Sequence, residues 1–262
     1  YCDCNTQGSR FYRQSPDKLK SAIEILNTKE LDYTIHLGDF IDRNFESFDT
    51  VLPIWNQLKS EKYHVLGNHD FSVADSLKAL VPTKMGLKKR YYSFVKNQWR
   101  FIVLDGNDLS YYGALLAEKQ KETDSLFNLL KPEDIPNLKT WNGGLSSEQL
   151  QWVKKELDNA KNKQQKVGFY CHFPAAKDGE PHNLWNYKQF LQLIKGYNNV
   201  KFYFNGHNHH GDYYLKDEVH HLTFKGMLET DNTSAFATVK FTKDSIFVNG
   251  YGREETRRLK IK

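Results

Sequence analysis

Short apolar runs that end in polar, metal-competent side chains recur along this chain, and segments with helical spacing separate them. The apolar runs are LDYTIHLGDF, KYHVLGNHD, KVGFYCHFP and VKFYFNGHNHH. The first helical segment, SPDKLKSAIEILN, starts at Ser15, has Pro at the first helical position and places Leu19, Ile23 and Leu26 at helical spacing. Further helices are predicted in FDTVLPIWNQLK, SSEQLQWVKKELDNAK and NYKQFLQLIKGY. Alternation of strands and helices is typical of an α/β fold.

The remaining segments predict additional strands around this framework. RYYSFVKNQWRFIVLDG predicts a hairpin that turns at Lys96 and Asn97, and residues 212–250 predict consecutive strands. Residues 107–144 are polar and weakly periodic, so they predict a long loop. Loops of that length are uncommon and often functional, and we interpret this one as a lid. No convincing boundary divides the chain, so we expect a single domain over residues 1–262.

Composition excludes several classes of protein. The 262 residues carry a net charge of +5, but their Lys and Arg residues are spread out and form no nucleic-acid-binding stripe. No apolar run approaches the length of a membrane span. Three cysteines are no disulfide framework and favour a reducing compartment, so we expect a cytoplasmic location. Because the chain begins at Tyr1 without a methionine, we also expect that an upstream segment is missing.

The polar residues that follow the apolar runs form a candidate metal site. The residues at these four strand ends are Asp39 and Asp42; Asn68, His69 and Asp70; His172; and His207, Asn208, His209 and His210. Ligands in an open α/β sheet bind outside the carboxyl ends of the strands, so these side chains are expected to share one sheet edge. Mixed nitrogen and oxygen ligands suit Mn, Fe or Zn better than Ca or Mg.

The motifs GDxxD, GNHD, CHxP and GHxH, in this order, resemble those of the calcineurin-like metallophosphoesterase superfamily. The segments WNGGLSSEQLQW, HHLTFKGMLET and SAFATVKF resemble one branch, the manganese-dependent ADP-ribose/CDP-alcohol diphosphatases. The resemblance covers nearly the whole chain. It implies a four-layer α/β/β/α sandwich of two mixed β-sheets, with two divalent metal ions between strand ends. Manganese is the expected metal, with Fe or Zn as alternatives.

The resemblance also implies a role for each residue of the site. Asp39 is expected to bridge both metals, Asn68, His172 and His207 to complete one metal site, and His209 to join the other. His69, paired with Asp70, matches the catalytic histidine of the family, which stabilises the transition-state oxygen and can protonate the leaving group. Asp42 and Arg43 are expected to support this loop without binding metal.

One motif of the superfamily, Asp-x-His or Asp-x-Gln at the end of the first strand, is not found. In the register of RFYR these ligands of the second metal fall before Tyr1, and the first strand is absent with them. An alternative register makes Asp3-Cys4-Asn5 a degenerate version of the motif. We favour the first register because it also explains the absent strand.

The substrate is expected to be a small nucleotide, and neither nucleic acid nor a membrane is expected as a partner. The long segment 107–144 and the aromatic richness of the chain suggest a walled pocket that takes a nucleoside. Arg13 is a candidate phosphate contact or a partner of a surface carboxylate. Trp185, Asn186 and Tyr187 are candidate substrate contacts, and packing at a helix start is an equal alternative for them.

The resulting prediction is a dinuclear-metal hydrolase that cleaves the pyrophosphate bond of compounds such as ADP-ribose and CDP-alcohols. The products are a nucleoside monophosphate and a phosphorylated sugar or alcohol. A phosphodiesterase acting on 3′,5′-cyclic nucleotides or other diesters is the second interpretation. A non-catalytic scaffold that has lost one metal is the third, and the missing first motif is the only feature that favours it.

Overall fold

The computed structural model describes residues 1–175 and 177–262. Its α-helices are α1 (Ser15–Leu26), α2 (Ser47–Trp55), α3 (Asp75–Lys78), α4 (Val81–Lys84), α5 (Ala117–Leu130), α6 (Ser147–Asn162) and α7 (Tyr187–Ile194). Its strands are β1 (Tyr33–His36), β2 (Glu61–His64), β3 (Tyr92–Lys96), β4 (Trp99–Val103), β5 (Lys166–Tyr170), β6 (Val200–Asn205), β7 (Asp212–Lys216), β8 (Val219–Thr223), β9 (Ala235–Phe241), β10 (Ser245–Gly252) and β11 (Arg257–Lys260).

A six-stranded mixed sheet forms the centre of the molecule, with the order β3-β4-β5-β6-β8-β7. Strands β4, β5, β6 and β8 run parallel to one another, and the two edge strands are antiparallel to their neighbours. A second layer of strands contains the parallel pair β1-β2 and the antiparallel sheet β11-β10-β9. The carboxyl ends of β1, β2, β5 and β6 carry the predicted metal ligands.

Three hydrophobic cores separate four layers. Along the central strands the side chains alternate between the two faces of the sheet, as the two-residue period of a strand requires. On β5, for example, Phe169 packs with α6 and α7, whereas Tyr170 packs towards β10 and β11. A further core lies beneath α1 and α2, and Ile23 and Trp55 belong to it. The α/β/β/α sandwich implied by the resemblance is therefore confirmed.

The second strand layer differs from the expectation of one continuous sheet. Within the described residues, the β1-β2 pair and the β9–β11 sheet are not hydrogen-bonded to each other. A cavity of about 1520 Å³ lies between them, lined on one side by β1 and on the other by β9. The same cavity is lined by Asp39, His172, His207 and His209, so it opens directly onto the candidate site.

The segment 107–144 is not the structureless loop that its weak periodicity predicted. It contains the 14-residue helix α5, and the bridge between Leu109 and Gly144 ties its two ends together. Only Thr123 of this helix is buried. Because the helix packs so little of its surface, it needs few apolar positions, and this removes the periodic signal on which recognition of a helix depends.

The cysteines also depart from expectation. Cys2 and Cys4 form a disulfide, while Cys171 is free and buried. The sequence count predicted no disulfide framework, and this single short-range bond links residues only two positions apart. Among the described residues, no helix is both long enough and apolar enough to cross a membrane.

Candidate active site

Four of the predicted metal ligands follow the ends of β1, β2, β5 and β6. Asp39 lies in the loop after β1, Asn68 in the loop after β2, His172 just after β5 and His207 just after β6. His172 Nε2 is 3.1 Å from Asp39 Oδ2 and 3.0 Å from His207 Nδ1. The ligand atoms of Asp39, His172 and His207 all lie within 4.8 Å of one another. Three of the predicted strand ends therefore meet in one cluster, and the role of these residues as metal ligands stays a prediction.

The backbone around these ligands turns tightly. Asp39 and His207 both adopt positive φ values, 57° and 68°, which are uncommon for residues other than glycine and are often found at functional sites. Gly67 is required for a different reason, since a Cβ atom there would lie 2.2 Å from Asp39 Oδ1. The Gly residues that precede the ligands in the sequence therefore allow the loops to approach one another closely.

The ring nitrogens of His172 and His209 are oriented by groups that can only accept a hydrogen bond. His172 Nδ1 lies 2.8 Å from the carbonyl oxygen of Leu37, and His209 Nδ1 lies 2.8 Å from Glu229 Oε1. Each Nδ1 must therefore carry a proton, so in the neutral ring Nε2 keeps its lone pair. Carboxylate and carbonyl acceptors behind an imidazole are characteristic of metal-binding histidines.

The electrostatics of the cluster favour a carboxylate beside neutral and cationic imidazoles. Burial tends to raise the pKa of Asp39, but the neighbouring His172 holds it well below its ordinary value. Burial acts in the opposite direction on His172, and Asp39 nevertheless raises the pKa of this imidazole above its ordinary value. Burial, aided by His172, lowers the pKa of His207 well below its usual range, so this ring is neutral. Asp39 and His172 thus stabilise each other's charged forms.

The donor set fits a divalent metal ion. Asn68 is buried, and its Oδ1 has no hydrogen-bond partner among the described residues. An orphaned buried amide oxygen is costly unless it binds something. The residue after Asn68 contacts the cluster, since the backbone N–H of His69 donates to Asp39 Oδ1. An amide oxygen, a carboxylate and two imidazole nitrogens are a mixed oxygen and nitrogen set of the kind that Mn, Fe and Zn accept. His209 lines the same cavity but lies outside the tight group of three.

The structure corrects one detail of the predicted catalytic pair. Asp70 does not pair with the His69 ring, because its carboxylate accepts hydrogen bonds from the backbone N–H groups of Asp39, Phe40, Ile41 and Gly67. The ring instead pairs with Asp42, with Nδ1 3.0 Å from the carbonyl oxygen and 3.4 Å from Oδ1. Asp70 therefore holds the two ligand loops together, and Asp42 orients His69.

His69 lies against the ligand cluster without joining it. Its backbone N–H donates to Asp39 Oδ1 at 2.8 Å, and about 30% of its side chain is exposed. Arg43 pairs with Asp42 at 2.7 Å. The expectation that Asp42 and Arg43 support this loop agrees with these contacts.

Arg13 and the N-terminal residues lie on the surface. Arg13 Nε is 2.6 Å from Asp3 Oδ1, its Nη1 donates to Asn5 Oδ1 at 2.9 Å, and 54% of its side chain is exposed. These contacts favour the surface-pair interpretation of Arg13. The side-chain oxygens of Asp3 and Asn5 therefore accept hydrogen bonds from Arg13. This argues against the register in which Asp3-Cys4-Asn5 is a metal-binding motif.

The other three candidate substrate contacts are buried at the start of α7. Trp185 Nε1 donates to the carbonyl oxygen of Lys139 at 2.9 Å, and Asn186 forms two hydrogen bonds with the backbone of Leu145. The hydroxyl of Tyr187 donates to Asp178 at 2.6 Å. These contacts favour the packing interpretation, and a role in substrate binding stays a prediction for all three.

Two residues that orient imidazoles were not singled out in the sequence. They are Asn142, which contacts His207, and Glu229, which contacts His209. Both lie in segments that carry the family resemblance, WNGG and MLET, but each is distant in sequence from the histidine it contacts. No local spacing rule connects such pairs, and only the fold brings them together.

The fold and the site together define a metal-dependent phosphoesterase. Residues 12–211 match the profile of the calcineurin-like phosphoesterase family, and the chain belongs to that family. It is 30% identical to the manganese-dependent ADP-ribose/CDP-alcohol diphosphatase of Xenopus laevis, over 95% of this chain and 83% of the relative. The diphosphatase of the same name from Homo sapiens is also 30% identical, over 98% of this chain and 88% of the relative.

A solved structure agrees with this assignment. The crystal structure of a dimetal phosphatase from Danio rerio superposes with a TM-score of 0.87 at 25% sequence identity. The superposition covers 100% of this chain and 96% of the neighbour. The similarity therefore extends over all four layers of the sandwich.

Proposed function

We propose that this protein hydrolyses the pyrophosphate bond of nucleoside diphosphate compounds such as ADP-ribose and CDP-alcohols. The observation that carries the proposal is the cluster of Asp39, His172 and His207, whose ligand atoms lie within 4.8 Å of one another at the mouth of a large cavity. The manganese-dependent diphosphatases to which the chain is similar support the choice of substrate and metal. The products are a nucleoside monophosphate and a phosphorylated sugar or alcohol.

We assign the metal ligands residue by residue. Asp39, Asn68, His172 and His207 would hold one divalent ion, and Asp39 and His209 would contribute to holding a second. Two bound Mn²⁺ ions supply Lewis-acid stabilisation of the phosphate oxygens and lower the pKa of a water molecule.

His69 is the residue we assign to proton transfer. The carbonyl oxygen of Asp42 can only accept a hydrogen bond, so Nδ1 of His69 carries a proton. In the imidazolium form the ring carries a second proton on Nε2, and this is the proton that it can transfer to the oxygen leaving with one half of the substrate. General acid catalysis of this kind contributes about 10²–10⁴-fold to a rate. Phosphoryl transfer otherwise depends mainly on positioning and charge stabilisation, which the ligand loops provide.

The whole chain, residues 1–262, acts in this proposal as one catalytic domain. The segment 107–144 forms a lid or wall beside the site. The contact between Asn142 and His207 supports this placement, as does the tie between the two ends of the segment. We also propose a cytoplasmic location, although the Cys2–Cys4 disulfide counts against a reducing compartment, and fractionation of the native host would test it directly.

The substrate assignment is tested by direct competition of substrate classes. Purified protein with Mn²⁺ is assayed in parallel against ADP-ribose, CDP-choline, 3′,5′-cyclic AMP and an aryl phosphate. The proposal expects the highest kcat/KM for the two pyrophosphates, with release of AMP or CMP. A clear preference for the cyclic diester or the aryl phosphate would refute it and favour the phosphodiesterase interpretation. Absence of turnover with every substrate would favour the non-catalytic scaffold.

The residue assignments are tested by paired variants. His207→Ala is expected to lose both activity and bound Mn²⁺, whereas His210→Ala is a matched control, because His210 is exposed beside the same loop. His69→Ala is expected to lose activity while keeping its metal content. Metal analysis that showed parallel loss of metal and activity in His69→Ala would make His69 a ligand.

A further inference from the structure

Asn142 is completely buried beside the metal cluster, and both its NH₂ group and its oxygen have hydrogen-bond partners. Its Nδ2 lies 2.8 Å from the carbonyl oxygen of Asn137 and 2.7 Å from that of Pro181. Its Oδ1 lies 2.9 Å from His207 Nε2. The side chain therefore joins the end of the 107–144 segment, the loop after β5 and the loop after β6.

These partners fix which atom of the amide is which. Both carbonyl oxygens can only accept, so the atom facing them must be the NH₂ group. A flipped amide would place its oxygen against two other oxygens and its NH₂ group against the ring of His207. The Oδ1 atom must therefore face His207.

The orientation of the amide in turn fixes the tautomer of His207. An amide oxygen cannot donate, so the proton in this contact belongs to His207 Nε2. A neutral imidazole carries one ring proton, which leaves Nδ1 with a lone pair. That nitrogen lies 3.0 Å from His172 Nε2, which is itself 3.1 Å from Asp39 Oδ2. The lone pair is thus directed into the ligand cluster.

Packing alone does not specify this arrangement. The His207 ring lies between Phe173 and Trp141, with centroid distances of 4.6 Å and 5.3 Å. A ring turned over by 180° would fill nearly the same space, because carbon and nitrogen positions of an imidazole are similar in size. It would lose both of its polar contacts, so the hydrogen bond to Asn142 selects the orientation.

We propose that Asn142 is a positioning residue that holds His207 as its Nε2–H tautomer with Nδ1 towards the metal. This inference rests on the metal site of the proposed function, but it does not depend on the substrate. It gives the segment 107–144 a second role, since the residue that orients the ligand lies at the end of that segment.

The first test measures the tautomer in the metal-free protein. Long-range ¹H–¹⁵N spectra of protein labelled at histidine distinguish protonated from unprotonated ring nitrogens, and His207→Gln assigns the signals. The proposal expects a protonated Nε2 and an unprotonated Nδ1 at His207. The opposite pattern in the unmodified chain would overturn it, and this measurement requires no variant of Asn142.

The second test separates orientation of His207 from general support of the loops. Asn142→Leu removes the acceptor and is expected to weaken Mn²⁺ binding by about 10–100-fold, as is typical when the partner of a ligand is lost. Asn142→Asp keeps an acceptor for His207 but turns its second oxygen towards the two carbonyl oxygens, so it is expected to lower thermal stability. The Mn²⁺ affinity of the folded variant is expected to stay within about threefold of that of the unmodified protein. If the role of Asn142 is only to tie the loops, Asp and Leu will weaken Mn²⁺ binding equally, and the proposal is wrong.

Asn137 provides a matched control in the same turn. It is also buried, and its Nδ2 donates to the carbonyl oxygens of Leu184 and Trp185 without contacting His207. Asn137→Ala is expected to lower thermal stability while leaving the His207 tautomer and Mn²⁺ affinity unchanged. A tautomer change in Asn137→Ala would show that loosening the turn is sufficient, and would contradict a specific role for Asn142. Absence of diphosphatase activity would refute the proposed function and leave these binding results interpretable.

Discussion

His64 makes the stability of this protein depend on pH in a way that the structure allows us to calculate. The residue is only 4% exposed and packs against Trp55, Phe40 and His36, with centroid distances of 5.0, 5.2 and 5.9 Å. Its Nδ1 is buried and has no hydrogen-bond partner among the described residues. Burial lowers the pKa of His64 to about 3.

The sign of the effect follows from the two pKa values of His64. In the unfolded chain the pKa is about 6.5, so between pH 6.5 and pH 3 the unfolded state binds a proton that the folded state does not. The free energy of unfolding therefore falls as the pH decreases through this range. At about 1.4 kcal/mol per pKa unit, the loss at pH 5 relative to neutral pH is about 2 kcal/mol. With a urea slope of about 3 kcal/mol per M, the midpoint falls by about 0.7 M.

The assay is urea unfolding at pH 7.5 and pH 5, with the unmodified protein, His64→Leu and His210→Gln as an exposed histidine control. His64→Leu keeps a similar volume and removes the titration, so its midpoint should fall by about 0.7 M less than that of the unmodified protein between the two pH values. The control should follow the unmodified protein. The reasoning is refuted if His64→Leu and the unmodified protein lose the same stability on acidification, because the other histidines are common to both.

Two further variants test the packing of the site and of its surroundings. Gly67→Ala places a Cβ atom 2.2 Å from Asp39 Oδ1, so the carboxylate must move by about 1 Å. We expect kcat to fall about 10²-fold and Mn²⁺ binding to weaken. Gly196→Ala is the control, because nothing lies within 4 Å of the added Cβ atom, and it should behave as the unmodified protein. Arg90→Met leaves Asp105 buried without the cation that lies 2.6 Å away, and should cost about 3–5 kcal/mol of unfolding free energy in urea titrations.

The control for the second variant is an ion pair of the same length on the surface. Arg13 and Asp3 are also 2.6 Å apart, but both side chains are more than half exposed. Arg13→Met should therefore cost no more than about 1 kcal/mol. If Arg90→Met and Arg13→Met lose the same free energy of unfolding, burial does not determine the contribution of the Arg90–Asp105 ion pair.

The sequence was most informative where local rules apply. Helix α1 starts at Ser15 with Pro16 at its first turn, and the hairpin of β3 and β4 turns at Asn97, which adopts a positive φ of 52°. The candidate metal ligands were recognised for a similar reason, since Asp39 and His207 follow apolar runs at the point where a strand must end. In contrast, α5 was missed because an exposed helix does not need a regular apolar stripe.

Local sequence patterns were sufficient to predict the order of the strands and of most helices, and the chemical identity of the candidate ligand groups. The tertiary structure decided how those groups are oriented. Asp70 was expected to pair with His69, but backbone N–H groups of two loops occupy its carboxylate, and Asp42 takes that place. Asn142 reaches His207 across 65 residues of sequence. Strand ends are specified by residues next to each other in the chain, whereas hydrogen-bond partners of a buried imidazole are chosen by whichever loop the fold places beside it.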